Sequence, residues 1–275
     1  MTYGPRSSRP RGALRALRAA SLLVLGWGFA AVLLTAAFLF TVATLRVGVR
    51  RYSNRIARLV GRTVLALQGI ELVVEHAERL ADRRARIVLL NHTSQLDLFI
   101  FAALFPPGGS AVGKKEILWV PLIGWCFWAF GFYTIDRENL ERAKASLRSV
   151  GEDLKRRRMS VFIAPEGTRG RDLRLQPFKK GAFHLAAATH VPIVPAIVRG
   201  AGACQPYGQL VADPGVVGVE LLPPIPTDDY SAENVDAKRE ELHALFARHL
   251  EGEGQVAATS SRAGALRSPA RSCPS

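Results

Sequence analysis

The sequence predicts an α/β fold: a largely parallel sheet flanked by helices, preceded by an N-terminal hydrophobic/amphipathic two-helix membrane anchor. Three observations predict it. From residue 70 onward, short apolar runs alternate with helical patterns. From Ala19 to Leu45 the chain carries no charged residue. Beyond that stretch, arginines recur at helical spacing opposite apolar positions.

The uncharged stretch would reach roughly 40 Å as a helix, more than the hydrocarbon core of a bilayer needs. A cleaved signal peptide has a shorter apolar region that ends in a small-residue site, whereas this one ends in more arginine. Basic residues flank it on both sides, so charge gives no orientation. A segment that turns back at Gly26-Trp27-Gly28 and a single span both remain open. Next, Arg51, Arg55, Arg58 and Arg62 share one helical face while Ile56, Leu59, Val60 and Leu67 fill another. That pattern predicts a helix lying in the headgroup layer, apolar side down; the plainer alternative is a helix packed on the domain with a solvated arginine stripe.

Strands are predicted at Ile70–Val74, Ile87–Leu90, Phe132–Ile135, Ser160–Ala164, Pro192–Val198 and Val216–Leu222. Helices are predicted at Gln95–Leu104, Asn139–Arg156, Phe178–Thr189 and Asp236–Leu250.

The net charge of +14 is unevenly placed. Residues 1–70 hold 11 arginines and no acidic residue, and residues 262–275 hold three more arginines, so the middle is neutral. A neutral middle and an apolar segment speak against nucleic acid and for an anionic membrane surface. Cys126, Cys204 and Cys273 lack any CxxC or Cys/His spacing, which excludes a metal site or disulfide framework and suits a reducing compartment. Cys126 lies in an apolar run and is predicted to be packed.

The chemistry concentrates at strand ends. Asn91-His92-Thr93-Ser94-Gln95-Leu96-Asp97 leaves a predicted strand. A spacing of five puts two residues about 140° apart on a continuous helix, so His92 and Asp97 meet only if His92 is on a loop. Thr93 and Ser94 are helix-capping types that would make that break. An aspartate can then fix the imidazole tautomer and stabilise the imidazolium. No GxSxG elbow and no suitably placed cysteine supply a nucleophile, which suggests that a substrate hydroxyl attacks. In isolation, a packed histidine near a helix start reads the same way.

Ala164-Pro165-Glu166-Gly167-Thr168-Arg169-Gly170 leaves a second strand. Gly167 permits close backbone approach, Thr168 offers a hydroxyl, and Arg169 can grip a phosphate with two hydrogen bonds; an ordinary strand-end turn is the alternative. Lys114, Lys115 and Arg137 are further basic positions near strand ends. Between them Ile117–Phe130 is almost wholly apolar and serves as core, as lining for an acyl chain or as bilayer contact.

With these motifs in this order, residues 70 to 200 resemble the 1-acyl-glycerol-3-phosphate acyltransferases, within the wider glycerolipid acyltransferase superfamily. The resemblance implies His92 as base and Asp97 as its partner in a His-x4-Asp block. Lys114-Lys115-Glu116-Ile117 with Pro121 and Gly124, then Ile135-Asp136-Arg137, look like a substrate-binding block. Glu166, Gly167, Thr168 and Arg169 match the phosphate-binding block, and Val191–Pro195 the last one; Phe178-Lys179-Lys180-Gly181 is also similar to the family. Ala164 replaces the usual aromatic and Gly170 the usual serine around Pro-Glu-Gly-Thr-Arg.

The resemblance further implies acyl transfer from acyl-CoA or acyl carrier protein to the sn-2 hydroxyl of lysophosphatidic acid, giving phosphatidic acid. It implies no cofactor beyond that co-substrate, no metal, membrane lipids as partners, and a catalytic domain on the cytoplasmic face of the membrane. The chain then divides into a basic tail (1–18), anchoring helices (19–69), the acyltransferase domain (70–251) and a disordered basic tail (252–275). Rival readings are a different acceptor, such as glycerol-3-phosphate, another lysophospholipid or a lyso-aminolipid, and a non-enzymatic membrane-binding protein.

Overall fold

The computed structural model of the protein describes residues 3–6, 17, 21, 23–44, 49–81, 84–121, 123–136, 138–170, 173–209 and 211–265. The described part of the uncharged stretch is helical as far as Ala43. A π-turn at Leu23–Trp27 leads into α1, Gly28–Ala43. Gly26-Trp27-Gly28, offered as the point where a returning segment would break, lies where this π-turn joins α1, and the described residues continue from it as one helix. Val24–Ala43 is long and apolar enough to cross a membrane.

The second helix, α2 (Val49–Leu67), follows the plainer of the two sequence readings, a helix packed on the domain. Of the predicted stripe, Val60 is buried in the domain core with Ala57, Val64 and Leu65, Ile56 and Leu67 are half-buried, and Leu59 remains 51% exposed. Arg55 and Arg62 point to solvent and Arg58 is half-buried, while the Arg51 side chain lies outside the described residues. An amphipathic helix buries its stripe against the nearest apolar surface. Here that surface is α3 (Asp97–Leu104). A boundary between residues 69 and 70 therefore cuts through one packed unit.

Gly61 makes this packing possible. A Cβ there would lie 2.5 Å from the Phe99 carbonyl oxygen and 2.6 Å from the Ala103 nitrogen. Gly61→Ala gains up to about 1 kcal/mol of helix propensity, but overpacking against backbone costs about 1–3 kcal/mol. The net expectation is a lower thermal unfolding midpoint; a raised midpoint would show that the two helices can separate freely.

The strands follow the apolar runs: β2 Ile70–Glu75, β3 Arg86–Leu90, β4 Gly109–Lys114, β5 Tyr133–Ile135, β6 Ser160–Ile163, β7 Ile193–Arg199 and β8 Gly215–Leu221. Five of them run parallel in the order β7-β3-β6-β4-β5. β8 pairs antiparallel with β7, and β2 pairs parallel with β8. In the central strands, successive side chains alternate between two apolar layers. Val88, Leu90, Phe162 and Val194 meet α2 and α3. Ile87, Leu89, Val161 and Ile193 meet α5 (Leu140–Arg157), α6 (Gly181–Thr189) and α8 (Val235–Ala265), the short α7 being Ala201–Cys204.

Three further differences have physical reasons. β4 escapes the strand list because Gly109-Ser110 and Gly113 dilute its apolar signal. β1, Gly4–Pro5, lies in the predicted basic tail yet pairs with β8. Its neighbours hold it there, with Tyr3 donating to Glu75 at 2.6 Å and Arg6 paired with Glu71. Finally, α8 continues to Ala265, past Gly252 where disorder is predicted, since extending a formed helix adds one hydrogen bond per residue fixed. Residues 7–16 and 266–275 lie outside the described residues.

Between β4 and β5, α4 (Ile123–Phe130) buries Cys126, Phe127, Ala129 and Phe130. The packing predicted for Cys126 is borne out.

Candidate active site

The site is built where β3 and β6 end. Their parallel register, with Leu89 opposite Ile163, releases both following loops at the same end of the sheet. That is the carboxyl end of the parallel strands, where open α/β sheets hold their ligands. Asn91 closes β3 onto β7: its amide donates to the Val198 carbonyl at 2.8 Å and accepts from the Val198 N–H at 2.7 Å.

The chain then leaves the sheet as a loop, and α3 begins only at Asp97. His92 Nδ1 lies 2.7 Å from Asp97 Oδ2. The same oxygen accepts the N–H groups of Thr93 at 2.7 Å and Ser94 at 2.8 Å. Ser94 contributes to the break with its side chain, as predicted: its Oγ accepts the Leu96 N–H at 3.2 Å while donating to the Gln205 carbonyl at 3.0 Å. The aspartate, rather than the Thr93 side chain, gathers the rest of the loop.

Asp97 is fully buried, while the His92 side chain keeps 24% of its surface exposed. A carboxylate on Nδ1 favours the tautomer with its proton there, which leaves Nε2 as an acceptor able to take a proton from a ligand. The Phe101 ring, 5.9 Å from the imidazole, gives the site an apolar wall.

The loop after β6 completes the arrangement. Gly167 takes a φ of +76°, open to glycine without strain, and its N–H donates to the Ala164 carbonyl at 3.1 Å. This tight turn points Glu166 inward. The buried carboxylate accepts the His92 N–H at 2.6 Å on Oε1 and the Gln176 N–H at 2.8 Å on Oε2. Burial pushes its pKa up to about 7.

Thr168 is exposed and Arg169 is half-buried. Arg169 has no hydrogen bond or ion pair with the described residues, so its guanidinium is available to an anion. Lys114 and Lys115 sit at the carboxyl end of β4, two strands from His92. Lys114 is exposed, but Lys115 is engaged, 2.9 Å from Asp136 and 3.4 Å from Glu138. The bond to Asp136 raises the Lys115 pKa and lowers that of Asp136. Lys115 thus ties the β4 and β5 ends together. Arg137 lies outside the described residues.

The acyltransferase family profile matches residues 71–199. The 1-acyl-sn-glycerol-3-phosphate acyltransferase of Limnanthes douglasii is 34% identical over 200 residues, covering 73% of this chain and 70% of that protein. The chain belongs to the acyltransferase family. The Salmonella typhimurium enzyme of the same name is 36% identical over 164 residues, covering 60% of this chain and 66% of its own. The crystal structure of the 1-acyl-sn-glycerophosphate acyltransferase of Thermotoga maritima superposes with a TM-score of 0.70 at 23% identity. It covers 86% of this chain and 98% of that one, and it shares the α/β fold.

The structure thus brings His92, Asp97 and Glu166 into one hydrogen-bonded unit. Sequence reasoning misses how Glu166 acts, as well as Asn91, Gln176 and Gln205. Nothing in the chain order relates residue 92 to 166; only the β3–β6 register does. The Val191–Pro195 block lies at the opposite end of the sheet, at the start of β7, where the Pro192 carbonyl accepts the Ile87 N–H at 3.0 Å.

Glu166 also carries a pH dependence. Its ordinary pKa of 4.5 rises to about 7 on folding, so between these values the folded chain keeps a proton that the unfolded chain has lost. The resulting stability is fully present below about pH 4.5 and is lost as pH rises through 7, by about 3 kcal/mol in order of magnitude. Glu166→Gln cannot titrate and should lack this fall. Thermal midpoints of both proteins at pH 5 and 8 check it; equal slopes would dismiss it.

Proposed function

We propose that the protein transfers a fatty acyl group from acyl-CoA or acyl carrier protein to the sn-2 hydroxyl of 1-acyl-sn-glycerol-3-phosphate, producing phosphatidic acid. The observation that carries this reading is the His92–Asp97 pair at 2.7 Å, with Nε2 free of the aspartate. The names of its relatives support the choice of acceptor.

His92 Nε2 removes the proton of the acceptor hydroxyl as its oxygen attacks the thioester carbonyl. The tetrahedral adduct collapses, the C–S bond breaks, and the departing sulfur takes the proton back from His92. Asp97 stabilises the intervening imidazolium. The thioester donor is the co-substrate, and the scheme calls on no cofactor or metal. Arg169 holds the acceptor phosphate, with Lys114 and Arg137 as further cations and Thr168 as a hydroxyl donor. Glu166 and Gly167 shape the loop, and Lys115 braces the β4 and β5 ends. α1 anchors the protein to membrane lipids. Acyl-CoA and acyl carrier protein are carriers of the cell interior, so the catalytic domain faces the cytoplasm.

Purified protein given one donor should acylate lysophosphatidic acid faster than glycerol-3-phosphate, other lysophospholipids or a lyso-aminolipid. Preference for one of these would reassign the acceptor, and no transfer to any would remove the activity. Arg169→Lys keeps the charge but loses the planar fork. The KM for lysophosphatidic acid should rise about tenfold, the worth of one charge-assisted hydrogen bond at about 1.5 kcal/mol. An unchanged KM with lowered thermal stability would make Arg169 a turn residue.

A further inference from the structure

The run Ile117–Phe130 is split by the structure into two faces. One is core. The other presents Trp119 at 83%, Trp125 at 49% and Trp128 at 52% exposure, with Leu118 and Val120 beside them. The chemistry proposed above makes no use of these groups.

We propose that this tryptophan face seats in the headgroup layer of a lipid bilayer, as a second membrane contact beside α1. The inference rests on the reading of α1 as a membrane segment. Its first support is continuity. The Phe38 ring of α1 lies 5.9 Å from Trp125 and 6.3 Å from Trp128, and Cys126 Sγ lies 3.5 Å from the Leu34 carbonyl. α1, which also exposes Leu39 and Phe40, therefore packs directly on α4.

The second support is residue type. Tryptophan combines a large apolar ring with one N–H donor and concentrates where hydrocarbon meets water. A buried protein interface would be expected to cover Trp119 with matching apolar surface; in the described residues it stands almost wholly in solvent. The third is location. The turn Lys115–Trp119 directly follows β4, so Trp119 lies at the same end of the sheet as His92, and α4 carries the face back from there. A lipid acceptor would then meet the site from the side on which the protein rests, and the exposed Lys114 beside the turn suits anionic headgroups.

The test uses the full chain carrying Trp27→Phe, so that emission comes only from Trp119, Trp125 and Trp128. It is reconstituted into vesicles of phosphatidylcholine and phosphatidylglycerol whose acyl chains are brominated near the carbonyl or near the methyl end. Emission should fall about twofold or more with the shallow bromines and less with the deep ones. Trp119→Ser in the same background should remove part of the quenched signal. It should also slow acylation of vesicle-embedded acceptor several-fold while sparing a dispersed short-chain one.

If the protein sediments with the vesicles but its emission is unchanged, the proposal falls and the α1 anchor stands. If it does not sediment at all, the anchor reading fails and takes the proposal with it. A dimer in detergent that Trp119→Ser dissociates, without quenching in vesicles, would assign the face to a second copy of the chain and overturn the proposal.

Discussion

His92→Ala is expected to lower turnover by about 10²–10⁴, the usual loss on removing a general base. Binding of lysophosphatidic acid should survive. The structure makes this a clean experiment. The imidazole is partly exposed, so its removal leaves no sealed cavity. Asp97 Oδ2 keeps the Thr93 and Ser94 N–H groups, and Glu166 keeps the backbone N–H of residue 92. The loop should therefore hold its shape, with a thermal midpoint close to that of the native protein. Steady-state rates with a saturating donor measure the effect. Turnover within a few-fold of the native enzyme would mean that something other than His92 takes the proton. A matching loss of binding would point to a collapsed loop.

The second large effect concerns where the catalytic domain begins. A variant starting at residue 69 should not fold, whereas one starting at residue 48 should. The shorter form loses Val60, Val64 and Leu65, all buried, along with Ala57. At about 1.5–3 kcal/mol for each large side chain, this removes roughly 4.5–9 kcal/mol. Total stabilities are themselves about 5–15 kcal/mol. Two polar ties go as well: Gln68 accepts the Ala212 N–H at 3.0 Å, and Asn54 donates to the Pro106 carbonyl at 2.6 Å. A cooperative circular-dichroism melt distinguishes the variants. If the form starting at 69 melts cooperatively, α2 is dispensable to the core and belongs with the anchor after all.

The two readings left open for α2 show what a single sequence can convey. Its arginine stripe and apolar stripe are plain from spacing, but spacing cannot say which surface the apolar stripe meets. That depends on α3, whose position is fixed by a sheet crossover. The central strands were legible because strands buried on both faces need unbroken apolar runs, as at Ile87–Leu90. β4 was not, with glycines at its start and middle. His92 and Asp97 could be paired in advance because they are five residues apart and a loop between them was foreseeable. The Glu166 bond to the His92 backbone spans 74 positions and exists only through the β3–β6 register.

Gly61 has a mechanical consequence. α1 grips α2 through Tyr52, whose hydroxyl lies 3.1 Å from Thr41 Oγ1 and whose ring lies 5.2 Å from that of Phe40. At Gly61, α2 rests backbone to backbone on α3, the helix that starts with Asp97. Among the described residues, α1, α2 and α3 thus bear on one another in series, from the apolar helix to the aspartate. With α1 seated in a bilayer as proposed, such a linkage would act as a depth stop: it would hold the histidine at one working height above the lipid, and an acceptor hydroxyl would have to be lifted to that height by the lipid itself.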